Sequence, residues 1–407
     1  MSTTDKKIGL IGFGTVGQGF YQYLLANNKD KLLPKIAIKN TAKKRPEVAA
    51  SFTDDIDEVI KNQNSSVLVE LISDDKEAFN IVSKALKEGK KVISANKKMI
   101  AHHLETLIEL EQNNNGTLLY EGAVLGSIPI LKTLNDYYLL DNITQIDGIF
   151  NGSTNYILTQ IFENQMSYQQ ALKKAQQLGF AEADPNADVS GSDALYKLLI
   201  LTAHAFGKVI SPEKVLKIGI QQLTPNDIQF ALEHQLKVKL IAHAQLIGSH
   251  LHLSVLPTFV AEKDQFYHVD NEYNAVSISS ENIGNQLLIG KGAGSLPTGQ
   301  AVYSDYNSAE NFRYQYAKIS SGKKIKYDTD GFIWLYSENI TALEKYIEEV
   351  VIINRSQGYA KIKVAHLIKL QTTDAFKQLS AVALTENIRQ QFNRKYAYFQ
   401  AFQHSFV

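Results

Sequence analysis

Hydrophobic positions along this chain fall into two regimes. Through residue 120, short apolar runs at 7–11, 35–38, 67–72, 91–95 and 117–120 alternate with amphipathic stretches at 18–27, 76–88 and 102–113. The runs are too short for helices and predict buried strands, while the stretches between them carry a helical period. Strands alternating with helices imply a parallel, doubly wound α/β sheet of the Rossmann type, which binds ligands beyond the carboxyl ends of its strands. After that the pattern changes. A strand is predicted over 143–151, a turn into a helix at Asn151-Gly152-Ser153-Thr154-Asn155, helices over 167–178 and 190–206, and antiparallel strands in the valine-rich alternation of 236–260. The last segment predicts strand 332–336, helix 341–351, strand 359–368, helix 373–391 and strand 396–402. The chain is thus divided into 1–129, a nucleotide-binding domain; 130–305, an α+β domain; 306–325, a helix and a lysine-rich linker returning to the first domain; and 326–407, a small α+β module.

Composition narrows the function more than the fold. Lys+Arg and Asp+Glu are both 42 among 407 residues, so no net field recruits nucleic acid or an anionic membrane. No apolar run has the length of a membrane span, and the polar start runs straight into a strand, so a cytoplasmic protein with no membrane partner is expected. Cysteine is absent, which excludes disulfides, thiolate metal sites and any sulfur nucleophile. His243, His250 and His252 fall in predicted strands without metal-ligand spacing.

Gly12-Phe13-Gly14-Thr15-Val16-Gly17 follows the first strand and opens the first helix. That is the context a dinucleotide pyrophosphate needs: a tight turn at Gly12, close backbone approach at Gly14, and helix packed on strand at Gly17. The second strand ends at Lys39-Asn40, with Lys43, Lys44 and Arg45 behind, where an NAD-specific protein places an acid. NADP(H) is therefore expected in preference to NAD(H). Lys97 lies just past a strand, as either a solvated lysine or a ligand contact. Glu121, after the strand at 117–120, is either a buried pairing partner or a ligand for a hard cation together with backbone carbonyls.

The densest chemistry lies in Gly179-Phe-Ala-Glu182-Ala-Asp184-Pro-Asn-Ala-Asp188-Val-Ser-Gly-Ser-Asp193-Ala-Leu-Tyr-Lys197. Asp193 and Lys197 are spaced i, i+4 on one face of an apolar helix. A surface ion pair and a buried, functional pair both satisfy that spacing.

Together, Gly9 to Gly17, Ser94-Ala-Asn-Lys97, Glu121 to Pro129, Gly148 to Leu158, Gly179 to Lys197 and Gly290-Lys-Gly-Ala-Gly294-Ser-Leu-Pro-Thr298 resemble the homoserine dehydrogenases, in the order of that family, as far as about residue 305. The resemblance implies hydride transfer between NADPH and L-aspartate 4-semialdehyde, giving L-homoserine on the route to threonine and methionine. It makes Lys197 the proton donor, Asp193 its partner at the substrate hydroxyl, Glu182 the anchor of the substrate amino group, and Lys97 a catalytic contact at cofactor and substrate. Gly12, Phe13, Gly14, Thr15, Val16, Gly17, Lys39, Ser73, Ser94, Gly179 and Gly294 would line the cofactor. Glu121, Val124, Gly126 and Ile128 match a structural sodium site, residues 130–305 a catalytic and dimerisation domain, and the whole a homodimer or homotetramer. Three departures stand out. Ser73-Asp74-Asp75 replaces the usual glycines, Lys39 replaces a common arginine, and Ser337-Glu338-Asn339-Ile340 replaces the Asp-Arg-Pro-Gly loop of a regulatory ACT domain. The tail therefore reads as a diverged ACT-like or dimer-stabilising module, or a structural cap, without threonine feedback. Two other functions compete: a dehydrogenase for another short amino-acid aldehyde, disfavoured by Glu182, and a non-catalytic NADP-binding sensor, disfavoured by Asp193 and Lys197.

Overall fold

The computed structural model describes residues 7–41, 45–62, 65–316, 325–354, 356–377 and 379–403, so Lys43, Lys44 and most of the predicted linker lie outside the described residues. The chain forms two compact units, Met1–Leu140 with Leu199–Val209 and Gly290–Gly322, and Asp141–Leu198 with Ile210–Ile289 and Lys323–Val407.

The first unit is built on β1 (Lys7–Ile11), β2 (Lys35–Ala37), β3 (Ser51–Thr53), β4 (Ser65–Glu70), β5 (Lys91–Ser94) and β6 (Thr117–Leu119), all paired parallel in the order β3-β2-β1-β4-β5-β6. The order reverses between β1 and β4, the switch point at which doubly wound sheets bind ligands. Ile8, Leu10, Ile36, Val69 and Ile93 are fully buried, as expected for parallel strands covered on both faces. Helices α1 (Thr15–Ala26), α2 (Ile56–Ile60), α3 (Asp75–Lys87), α4 (Lys97–Asn113) and α5 (Ile130–Asp136) complete the windings. Two helices start earlier than predicted. α1 begins at Thr15, and α4 begins at Lys97 because the Asn96 side chain accepts the Met99 N–H at 3.0 Å and caps it.

The second unit carries a mixed sheet. Its strands are β7 (Ile143–Ile149), β8 (Leu216–Lys217), β9 (Leu236–Ile247), β10 (His250–Ala261), β11 (Tyr273–Ser280), β12 (Gly284–Lys291), β13 (Lys326–Tyr327), β14 (Phe332–Ser337), β15 (Ile347–Ile352), β16 (Gly358–Lys363) and β17 (Val382–Ala383). The path runs β12-β11-β7-β9-β10-β17-β14-β16-β15, with β8 and β13 also on β10. Helices α6 (Gly152–Asn164), α7 (Tyr168–Gln177), α8 (Asn186–Val189), the first half of α9 (Ser192–Phe206) and α10 (Pro225–Glu233) belong here, and α11 (Ser295–Ser308) belongs to the first unit.

The tail departs from its predicted elements. The helix expected over 341–351 is a 3-10 turn at Ile340–Tyr346 followed by β15, since Val350, Val351 and Ile352 are β-branched and pair with β16. The strand expected over 359–368 stops at Lys363 and becomes a helix, Val364–Leu370. The helix expected over 373–391 is interrupted by β17, and the strand expected over 396–402 lies inside the helix Glu386–Gln403. Ile388, Phe392 and Tyr396, four residues apart, are buried on one face of that helix, so packing at helical period decides against the aromatic alternation. The tail's strands continue the sheet that begins in the middle of the chain, through β10, β17 and β14.

Candidate active site

A positive φ of 80° at Gly191 breaks α8 from α9 and turns the chain so that Asp193 enters the first turn of α9. Asp193 and Lys197 are 6% and 4% exposed, and Lys197 Nζ lies 2.8 Å from Asp193 Oδ2. Burial decides between the two readings of their spacing, because a solvated surface pair would not be this enclosed. Lys197 also donates to the Phe150 carbonyl, at the end of β7, at 2.7 Å. Asn151 caps α6 and sends its Nδ2 to Asp193 Oδ2 at 2.9 Å and to Asp188 Oδ1 at 2.8 Å. Neither Asn151 nor Asp188 was among the predicted site residues; the only signal was their place in the Gly148 to Leu158 and Gly179 to Lys197 segments.

Gly179 ends α7 with a φ of 77°, a turn few other residues adopt. Beyond it, Glu182 is exposed, its carbonyl accepting from Gln176 Nε2 at 3.0 Å. Ser153 Oγ donates to the Phe180 carbonyl at 2.5 Å, tying this turn to the start of α6. The acidic turn, Asp193 and Lys197 thus share the second unit.

In the first unit, Gly12 has a φ of 94°, and a side chain there would lie 2.6 Å from the Leu71 carbonyl. One at Gly17 would lie 2.5 Å from the Gly12 carbonyl. A side chain at Gly14 would meet nothing within 4 Å beyond its chain neighbours, so the turn is open at this position. Thr15 and Val16 open α1 beyond it, and Phe13 is buried against Tyr21 and Phe52. Gly294 has a φ of 119° at the start of α11, where Ser295 Oγ donates to the Thr15 carbonyl at 2.9 Å. Two helix N-termini therefore meet beside one glycine turn, a cradle suited to phosphates.

Lys39 is exposed, and Arg45 Nη1 donates to the Asn40 carbonyl at 2.7 Å next to it. Ser73 is exposed, Asp74 caps α3 through the Glu77 N–H, and Asp75 pairs with Lys98 at 2.9 Å. The two acids of the unusual loop are thus engaged within the protein. Ser94 is fully buried and donates to Glu70 Oε2 at 2.5 Å, while Asn96 Nδ2 donates to the Ile72 carbonyl at 3.2 Å. Glu70 is buried, and desolvation pushes its carboxyl up to about 7. Half-buried Lys97 is the first residue of α4.

Glu121 is 2% exposed and caps α5, accepting from Leu131 N at 2.8 Å and Lys132 N at 2.9 Å. Burial, and then the charge of Asp305, push its carboxyl up to about 8. Asp305 accepts the Glu121 N–H at 2.9 Å and pairs with Lys132 at 3.0 Å. Val124, Gly126 and Ile128 follow in a buried turn, where a side chain at Gly126 would press on the Gly292 carbonyl at 2.6 Å. A buried carboxyl followed in sequence by a buried turn offers oxygen donors of the kind a hard cation takes.

Among the described residues no helix is long and apolar enough to cross a membrane. Residues 12–121 match the family model for the homoserine dehydrogenase NAD binding domain, and residues 129–306 the model for homoserine dehydrogenase. The chain is 36% identical over 310 residues to the homoserine dehydrogenase of Bacillus subtilis, covering 74% of this chain and 71% of that one, and 35% identical over 311 residues to that of Lactococcus lactis, covering 73% and 72%. Among solved structures, a homoserine dehydrogenase from Thiobacillus denitrificans superposes with a TM-score of 0.78 at 27% identity, over 93% of this chain and 98% of that one. A hyperthermophilic archaeal homoserine dehydrogenase in complex with NADPH superposes with a TM-score of 0.63 at 27% identity, over 76% and 99%.

Proposed function

The chain belongs to the homoserine dehydrogenase family, oxidoreductases that interconvert L-aspartate 4-semialdehyde and L-homoserine with a nicotinamide cofactor, and we propose that Lys197 and Asp193 carry the proton chemistry of that reaction. The observation that supports this assignment is the enclosed 2.8 Å pair on α9. A buried ion pair is weak as a stabilising device, so its retention inside an apolar helix argues for use. The bound nicotinamide supplies or accepts the hydride. As the aldehyde oxygen gains charge, the Lys197 ammonium donates a proton to it, and in the reverse direction Lys197 takes the hydroxyl proton back. Asp193 and the Phe150 carbonyl hold that ammonium in place, and Asp193 faces the substrate oxygen. Glu182, on its exposed turn, receives the substrate ammonium, which restricts the substrate to an amino-acid aldehyde.

For the cofactor, the glycine turn from Gly12 to Gly17 and the starts of α1 and α11 receive the pyrophosphate. Lys97 is a cation at the positive end of α4, a local cost that suits a residue kept for ligand contact. Lys39, backed by Arg45, favours the 2′-phosphate of NADP(H) over NAD(H), with no acid at the end of β2 to receive free ribose hydroxyls. Sodium at Glu121, Val124, Gly126 and Ile128 serves structure, offsetting the two buried carboxylates.

Two measurements test these roles. Lys197→Ala should lower kcat by about 100- to 10,000-fold while NADPH titrates with wild-type affinity; turnover within tenfold of wild type would remove Lys197 from the chemistry. Sodium must compete with the proton on Glu121, so its apparent affinity should rise about tenfold per pH unit and level off above about 8. The melting midpoint in sodium chloride should then exceed that in choline chloride by more at high pH than at pH near 6, and equal midpoints at both would discard the sodium site.

A further inference from the structure

Asn151 stands at the junction of β7 and α6, 4% exposed, and makes three bonds with one amide. Its Oδ1 accepts the Thr154 N–H at 2.8 Å, the capping bond of α6. Its Nδ2 donates to Asp193 Oδ2 at 2.9 Å and to Asp188 Oδ1 at 2.8 Å. An amide nitrogen has two hydrogens, so both are spent on two carboxylates that would otherwise repel each other. Asp193 Oδ2 is also the oxygen that meets Lys197 Nζ at 2.8 Å, and the preceding residue, Phe150, offers its carbonyl to the same ammonium at 2.7 Å. Two consecutive residues therefore grip both members of the pair.

Helix capping alone does not explain the asparagine. Serine, threonine and aspartate cap helices about as well, but a hydroxyl has one hydrogen and a carboxylate has none. Only an amide accepts from the helix with one atom and donates twice with the other. Rotating the Asp193 carboxylate would break the Asn151 and Lys197 bonds together, since both end on Oδ2.

We propose that Asn151 is a positioning residue for the reaction, bridging Asp188 and Asp193 so that the Asp193 carboxylate, and through it the Lys197 ammonium, keep one orientation toward the reacting oxygen. This rests on Lys197 and Asp193 being the proton machinery. It assigns the conversion of β7 into α6 a second task besides folding, which is to aim the pair.

The test uses the full chain as wild type, Asn151→Asp, Asn151→Ser and Lys197→Ala, with kcat, KM for both substrates, pH profile and melting midpoint measured for each. Both Asn151 variants keep a capping oxygen, so α6 should persist and the Ser variant should melt near wild type. Their kcat should fall about tenfold to a hundredfold, as for misplaced catalytic groups, with KM for NADPH unchanged. Asn151→Asp should regain activity as pH falls, because its acid, once protonated, again donates toward Asp188 or Asp193; Asn151→Ser should show no such recovery. If both variants turn over within twofold of wild type while Lys197→Ala is inactive, the positioning role is wrong and the site assignment survives. Losses that merely track a lowered midpoint, with the wild-type pH profile in both variants, would likewise overturn it. An active Lys197→Ala would remove the premise as well.

Discussion

His243 on β9 binds its proton more tightly than an isolated imidazole does. Burial opposes the charge, yet the Asp147 carboxylate, 2.6 Å from Nδ1, outweighs it and raises the pKa above the ordinary 6.5. A raised folded-state pKa contributes stability that is complete below about pH 6.5 and disappears as pH climbs through the folded value. Asp147→Asn should therefore lower the melting midpoint more at pH near 6 than at pH near 9, and a deficit equal at both would show that the pair stabilises by shape alone. This pair illustrates what single residues reveal in sequence. Asp193 and Lys197 could be matched because i, i+4 spacing is local to one helix. Asp147 with His243, and Asn151 with Asp188 and Asp193, meet only after the sheet and helices return the chain to itself. Ser94 shows the same limit: its segment pointed to the cofactor, while its buried hydroxyl is bonded to Glu70, a contact set by the neighbouring strand.

At the scale of elements, most of the N-terminal windings were legible because each strand, turn and helix is written in consecutive residues, whereas the three-residue β3 and the five-residue α2 are too short to show a period and were not. What was not legible is the seat of α11 on α1. Gly19 and Gly299 lie in contact there: a side chain at Gly19 would overlap the Ser295 carbonyl, and one at Gly299 would lie 2.6 Å from the Gly19 carbonyl carbon. The two glycines stand far apart in sequence, and neither is needed for a turn. Gly19→Ala should overpack this crossing at a cost of about 1–3 kcal/mol, read as a lower unfolding midpoint in denaturant. Because Ser295 also holds the Thr15 carbonyl at the glycine turn, the same variant should raise KM for NADPH more than it lowers kcat. An unchanged midpoint would mean that the helices separate without penalty. The tail elements differ from their sequence pattern for a different reason: Ile347–Ile352 and Glu386–Gln403 carry mixed signals locally, and pairing with β16 in one case and burial of Ile388 and Phe392 in the other decide the outcome.

Over the second unit as a whole, the decisive fact is that residues from the middle and from the tail share one core. Leu216, Ile218 and Leu256 form a cluster with Leu335, Ile340, Leu343, Ala360, Ile362, Leu367, Phe376 and Leu379. Gln371 reinforces it by treating β8 as a neighbouring strand would, accepting the Lys217 N–H at 3.0 Å and donating to the Val215 carbonyl at 3.3 Å. Lys217 then reaches Ser192 Oγ at 2.7 Å, the residue before Asp193. A path of direct bonds thus leads from the tail to the first turn of α9. The sequence alone sets 326–407 apart as an α+β module, and its dependence on the middle could not be read there, since Leu216, Ile218 and Leu256 join that core only after the sheet has formed. Ending the chain at residue 325 should therefore expose the β10 edge and the apolar faces of Leu216, Ile218 and Leu256, giving aggregated protein rather than a soluble, active remainder. The subtler variant Gln371→Ala should fold, melt a few degrees lower and lose kcat, because Lys217 and Ser192 lose their brace. Recovery of a soluble 1–325 chain with wild-type turnover would show that the tail is detachable and that the path through β8 transmits nothing.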